Sequence, residues 1–220
     1  MPSPATLIFG GASWATETAF DGSAAQKQAL VLLSSAGITK IDSAVVYGNN
    51  ESILGQINAA KTHAIDSKYP GGLSPEPSTK EAIIATALKG LENTKADFFD
   101  VYYLHAPDRR VPLEPQLEAI NSLYQDGKIK RFGISNFLPG EVEDVIRIAS
   151  EKGWILPTVY QGTYSAIARR AETELFPLLR KHNIEFYAYS PIAGGFLTKR
   201  PEDLIAEAGP QGQGRWDPTS

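Results

Sequence analysis

Four residues of this 220-residue sequence could together move a proton: Asp42, Tyr47, Lys68 and His105. A tyrosine beside a lysine, with that lysine held by a carboxylate, gives up its phenol proton more readily because the ammonium favours phenolate. A neutral histidine nearby can hydrogen-bond a carbonyl oxygen and orient it. Such a set would polarise and protonate a carbonyl while a hydride arrives from elsewhere. Taken singly, each residue has a plainer role. Asp42 could cap a helix or complete an ion pair, Tyr47 could be a surface ring, Lys68 a solvated strand-end charge, and His105 a hydrogen-bonded core histidine. The combination is what points to chemistry. A strand lysine with a lowered pKa could also act as a Schiff-base nucleophile, a minor variant of the same set.

These residues need elements to position them. The sequence alternates β-rich runs with helical patterns, as a parallel α/β sheet does. Strands are predicted over ATLIFGG, ITKIDSA, HAIDSK, FFDVYYLH, IKRFGIS, PTVYQG and EFYAYS, beginning near positions 6, 39, 63, 98, 130, 157 and 184. The mean spacing is roughly 30 residues, that of repeated βα units. Between them, Ser23 with Gln26 and Ser78 with Glu81 are spaced as capping boxes. Ile83, Ile84, Ala87, Leu88 and Leu91 mark one apolar helix face, Leu113, Leu117, Ile120 and Tyr124 a second, and Val142, Val145, Ile146 and Ala149 a third. Helices should also form around ESILGQINAA and ETELFPLLRKHN, with stops at Gly37, Gly127, Gly153 and Asn183. No eighth strand is evident: the tail AEAGPQGQGRWDPTS reads as a loop. Seven units fit either an open doubly wound sheet or a barrel lacking its last unit.

In parallel α/β folds the reactive side chains gather at the carboxyl ends of strands. Besides the four above, those ends hold Ser135 and Asn136 on the fifth strand and Gln161 and Tyr164 on the sixth. The seventh ends in Tyr189, Ser190 and Pro191.

Composition narrows the classes of function. Hydrophobic residues make up 42% and charged residues 21%, which suits a folded globular chain rather than a disordered one. The formal charge is −4, from 21 Lys plus Arg against 25 Asp plus Glu, so a nucleic-acid partner is not expected. The sequence has no cysteine and three scattered histidines, so neither disulfides nor a metal site is expected. The N-terminus MPSPATLIFGGASW lacks a signal-peptide pattern and no later run is long enough to span a bilayer, so a cytoplasmic protein with no membrane partner is predicted.

The segments IDSAVVYGNNESILG, IDSK, DVYYLHAPD, FGISN, GWILPTVYQGTYSAIARRAETELFP and YSPIAGGFLTK resemble the aldo-keto reductases, and within them the aflatoxin-aldehyde reductase branch. The resemblance runs from the first strand to about Lys199. It implies a (β/α)8 TIM barrel that reduces aldehydes and ketones with NADPH, here as a single domain over residues 1–220 shortened at its C-terminal end. It implies Tyr47 as proton donor, Lys68 and Asp42 as the groups tuning it, and His105 as the residue orienting the carbonyl. Ser135, Asn136 and Gln161 match the positions that bind the nicotinamide carboxamide, and Tyr164 the aromatic that stacks on its ring. The stretch from Tyr189, Ser190 and Pro191 through Gly194 to Leu197 matches the loop beside the pyrophosphate. Arg215 and Trp216 match a loop that contacts acidic substrates, although Arg215 reads equally as a solvated loop arginine.

The sequence departs from the family pattern in two places. Ser165 stands where relatives tend to have asparagine, with little consequence expected. The last strand, the last helices and the motif gripping the adenosine 2′-phosphate are not in the sequence, so NADP(H) is expected to bind weakly. Open first and seventh strands would invite a second copy of the chain. Two other readings share the scaffold. One is a cofactor-free isomerase, dehydratase or cyclase using Tyr47, Lys68 and His105; the other is a non-catalytic interaction protein.

Overall fold

The structure, a computed structural model, describes residues 5–14 and 23–200. Seven strands alternate with helices among them. In chain order these are β1 (Phe9–Gly10), α1 (Ser23–Ser35), β2 (Lys40–Asp42), α2 (Asn50–Gln56), β3 (Ala64–Tyr69), α3 (Lys80–Thr94) and β4 (Phe99–Leu104). There follow α4 (Leu113–Gln125), β5 (Ile129–Ser135), α5 (Pro139–Lys152), β6 (Pro157–Thr163), α6 (Ala171–Glu174), α7 (Phe176–Lys181) and β7 (Glu185–Tyr189). This succession of βα units is that of an incomplete (β/α)8 barrel. The chain resolves into two compact units, Met1–Tyr160 and Gln161–Ser220.

In the first unit β1 to β5 pair side by side, all parallel. Register decides which side chains share a face. Asp42 pairs with Asp66, Lys68 with Tyr103, and Tyr103 with Gly133, so these residues line the same side of the sheet. Gly133 is required there, because a Cβ at that position would overlap the Tyr103 ring. Alternate positions, among them Ile41, Ile65, Leu104, Phe132 and Ile134, are fully or almost fully buried. Helices supply Leu54, Ile83, Leu117, Ile120, Val142 and Val145 to the core of this unit.

The helix stops are where local backbone chemistry puts them. Gly37, Gly127, Gly153 and Asn183 all hold positive φ. At Gly37 the turn is closed by hydrogen bonds from Gly37 to Ser34 and from Ile38 to Leu33.

Four sequence expectations are corrected. The first strand is two residues rather than seven, because the chain turns into a short 3₁₀ helix at Gly11, where a Cβ would come within 2.8 Å of Asn50 Oδ1 and the Asp42 carbonyl. The α3 cap is Thr79, whose hydroxyl accepts the Ala82 N–H at 3.2 Å; Ser78 instead donates to Asp108 through both N–H and hydroxyl. The buried stripes differ in part: Ile83, Ala87, Leu91, Leu117 and Ile120 are buried as predicted, but Leu88 and Tyr124 face solvent while Gly90 and Leu123 are buried. The predicted helix over ETELFPLLRKHN breaks at Leu175 into α6 and α7, because Pro177 has no N–H to continue the ladder.

In the second unit the Tyr164 N–H donates to the Tyr189 carbonyl at 3.2 Å. Phe176 packs edge-on against Phe186, and Leu175, Leu179 and Ile184 are buried beside them.

Candidate active site

Lys68 is the centre of the site. It lies near the end of β3, its side chain has no exposure, and its Nζ donates 2.7 Å to Asp42 Oδ2, 2.7 Å to the Ser43 carbonyl and 3.4 Å to the Tyr47 hydroxyl. A buried ammonium is tolerated only when paired and hydrogen-bonded. Here one carboxylate, one carbonyl and one phenol oxygen fill its three donor sites. The Tyr47 ring lies 4.8 Å from Nζ and the Tyr103 ring 5.6 Å, which adds aromatic faces to the cation's surroundings.

Tyr47 reaches this position from the loop between β2 and α2. The loop is tied to β3 by the Ser43 N–H to the Asp66 carbonyl (2.8 Å) and the Val45 N–H to the Lys68 carbonyl (3.4 Å). It is tightened by the Tyr47 N–H to the Ala44 carbonyl at 3.0 Å and by Gly48 at positive φ. A buried chain of bonds runs from the Ser43 hydroxyl to Asn50 (2.5 Å) and from the Asn50 amide to the Gly11 carbonyl (2.7 Å), so α2, the loop and the end of β1 hold one another. Tyr47 itself is half-buried.

His105 follows β4, where its N–H prolongs the ladder by bonding the Tyr69 carbonyl at 2.9 Å. Its ring meets that of Tyr47 edge-on, with centroids 5.9 Å apart. Burial lowers its pKa to about 4, the Lys68 charge adding to the effect, so the imidazole is neutral at neutral pH. Nδ1 is buried with no hydrogen-bond partner. An unprotonated nitrogen is the less costly atom to leave bare, which puts the ring proton on Nε2.

The end of β5 adjoins this group. Asn136 holds positive φ, which asparagine tolerates, and its Nδ2 donates to the His105 carbonyl at 2.8 Å and to the Ser135 hydroxyl at 3.0 Å. Ser135 is buried and Asn136 exposed. The first unit thus brings together Asp42, Tyr47, Lys68, His105, Ser135 and Asn136.

The second unit holds Gln161, which is buried, and Tyr164, whose hydroxyl donates to Glu172 at 2.6 Å and whose ring packs against Phe176 and Phe186. After Tyr189 the backbone passes through positive φ at Ser190, Ala193, Gly194 and Gly195, and Ala193–Thr198 forms short 3₁₀ turns that include Leu197. Arg215 and Trp216 lie outside the described residues.

Sequence reasoning missed the Ser43 carbonyl, a backbone acceptor with no side-chain signal. It also missed Asp66, which sits two residues before Lys68 and so on the same face of β3. Among the described residues, no cluster of His, Cys, Asp or Glu could hold a metal ion, and no helix is long and apolar enough to cross a membrane.

The family model described as "Aldo/keto reductase family" matches residues 6–213. Human aflatoxin B1 aldehyde reductase member 4 is 42% identical over 171 residues, covering 74% of this chain and 51% of that protein. Aflatoxin B1 aldehyde reductase member 2 of Rattus norvegicus is 39% identical over 196 residues, 82% of this chain and 50% of the relative. Oxidoreductase sirO of Leptosphaeria maculans is 37% identical over 193 residues, 87% and 57% respectively. The chain spans about half the length of the curated relatives it matches.

Proposed function

The chain belongs to the aldo/keto reductase family, and on that premise we propose that it reduces an aldehyde or ketone to the alcohol, with NADPH as reductant and Tyr47 as proton donor. The observation carrying this reading is the buried Lys68 ammonium, shared between Asp42 and the Tyr47 hydroxyl. When Tyr47 gives its proton to a carbonyl oxygen, the phenolate left behind is stabilised by that ammonium. Asp42 pairs with Lys68 and holds it in place. His105, neutral and protonated on Nε2, donates a hydrogen bond to the same carbonyl oxygen and turns it toward Tyr47.

NADPH, when bound, supplies the hydride. The residues present suit its recognition. Ser135 and Asn136 offer the donor and acceptor pair that a carboxamide needs, and the Asn136 anchor to the His105 carbonyl fixes them relative to the catalytic group. In the second unit, Gln161 and Tyr164 are proposed as nicotinamide-binding residues. The loop with positive φ at Ser190, Ala193, Gly194 and Gly195, together with Tyr189, Pro191 and Leu197, is proposed to lie beside the pyrophosphate. Arg215 and Trp216 are proposed as contacts to an acidic substrate.

The test is oxidation of NADPH by the purified chain across a panel of aldehydes and ketones, with Tyr47→Phe as control. The expected result is turnover that drops by about two to four orders of magnitude in the variant. Absence of oxidation across the panel, together with no fluorescence quench on adding NADPH, refutes the proposal. Turnover without nucleotide that is lost in Tyr47→Phe would select the cofactor-free acid–base reading.

A further inference from the structure

A carboxyl that the proposed reaction does not use lies one layer below Lys68. Asp66 precedes Lys68 by two residues on β3 and is the register partner of Asp42 on β2. It has no solvent exposure. Its Oδ1 accepts the Val101 N–H at 3.0 Å, while Oδ2 is buried with no hydrogen-bond partner. The cations nearby bind other carboxylates. Lys68 goes to Asp42, and Lys40 and Arg131 both go to Asp100 Oδ2, at 2.9 and 2.8 Å.

Among the described residues, the charged groups around Asp66 are Lys40 and Asp42 on β2, Lys68 on its own strand, Asp100 on β4 and Arg131 on β5, with Tyr47 and His105 above. A bare carboxylate oxygen in a fully buried place is costly, and the proton on Oδ2 removes that cost. Burial first, then the Asp42 and Asp100 charges, push Asp66 up to about 7.

We propose that Asp66 is a positioning residue for the proton-donating tyrosine: as a neutral acid it leaves the Lys68 ammonium to act on Tyr47, and its ionisation adds a carboxylate charge on the same face and makes Tyr47 a poorer donor. The role rests on the reductase reading for its consequence in catalysis, but the electrostatic coupling exists with or without turnover. Its sign follows from the chemistry of phenol: positive charge favours phenolate, and an added carboxylate disfavours it. Reduction by the intact chain should then fall as pH rises through neutrality.

The test is carbon-13 NMR of the full chain labelled at aspartate Cγ and tyrosine Cζ, in wild type, Asp66→Asn and Tyr47→Phe, the last assigning the Tyr47 signal. In wild type, one aspartate resonance should titrate near pH 7 and vanish in Asp66→Asn, and the Tyr47 resonance should follow the same titration. In Asp66→Asn the phenol should ionise at lower pH than in wild type, by about one pH unit, the order expected for removing a single nearby charge in a protein interior. Should Asp66→Asn fail to fold, the Tyr47 response within wild type carries the test. An Asp66 ionised throughout pH 5 to 9, or a Tyr47 signal blind to its titration, overturns the proposal. Enzyme assays in parallel should show kcat/KM falling about tenfold across neutrality in wild type and flat in the variant. Lack of NADPH oxidation in both proteins would strike the reductase reading alone, since the spectra decide Asp66 either way.

Discussion

Replacing Asp66 by Asn should make the chain gain stability relative to wild type as pH rises from acid to alkaline. Burial and two neighbouring carboxylates raise Asp66 from its ordinary 3.8 to about 7 in the folded chain. Between those values the folded state holds a proton that the unfolded state has released, so wild-type stability falls as pH rises. The penalty is absent below pH 3.8 and complete above about pH 7. Slightly more than three pH units, at 1.36 kcal/mol each, give about 4 kcal/mol over the whole window. At pH 5 about 1.6 kcal/mol is already present, so from pH 5 to pH 8 the asparagine variant should gain about 3 kcal/mol on wild type. Any fixed cost of the amide in that site cancels, because only the change with pH is read. Urea denaturation of both proteins at half-unit steps, monitored by tryptophan fluorescence, measures it. A stability difference that stays flat within 0.5 kcal/mol, or one that moves against the variant as pH rises, would show that Asp66 is ionised in the native chain, and the assignment of a proton to it would be wrong.

Two further substitutions probe the same region. Lys68→Met removes the buried ammonium and strands Asp42, so a loss of about 3–5 kcal/mol in urea denaturation is expected. The double variant with Asp42→Leu should lose clearly less, and a double loss equal to the sum of the single losses would contradict the pairing. Gly133→Ala forces a methyl into the Tyr103 ring and should cost about 1–3 kcal/mol, with a reductive kcat/KM depressed because Tyr103 shifts against Lys68; an alanine variant as stable and active as wild type would refute the close approach.

How much of this was legible in the sequence depended on whether the deciding physics was local. The stops at Gly37, Gly127, Gly153 and Asn183 could be read because positive φ is a property of one residue. The seven strands could be read because alternation and turn residues recur within short windows, and Ile129–Ser135 coincides with the predicted IKRFGIS. Where two residues competed for one local role, the outcome was set from a distance. Ser78 and Thr79 can each cap α3, and Thr79 does so because Asp108, thirty residues away in sequence, takes Ser78. Leu88 and Leu91 are equally apolar, yet only Leu91 is buried, because the neighbouring elements fix the helix rotation.

The site divides along the same line. Asp42, Tyr47, Lys68 and His105 could be nominated from residue type and strand-end position, and the structure brings all four to one ammonium and one ring pair. What Asp66 does could not be nominated that way. Its spacing from Lys68 puts it on the same face, but a carboxylate facing a lysine in mid-strand reads as an ordinary ion pair. The opposite assignment follows only from the pairing of β2 with β3, which sets Asp42 beside Asp66 and lets Asp42 take the lysine. It also needs Lys40 and Arg131 to be drawn to Asp100. Register between strands, more than the content of any one strand, determines which of the three carboxyls, Asp42, Asp66 and Asp100, has an oxygen left without a hydrogen-bond partner, and so which one is proposed to hold the proton.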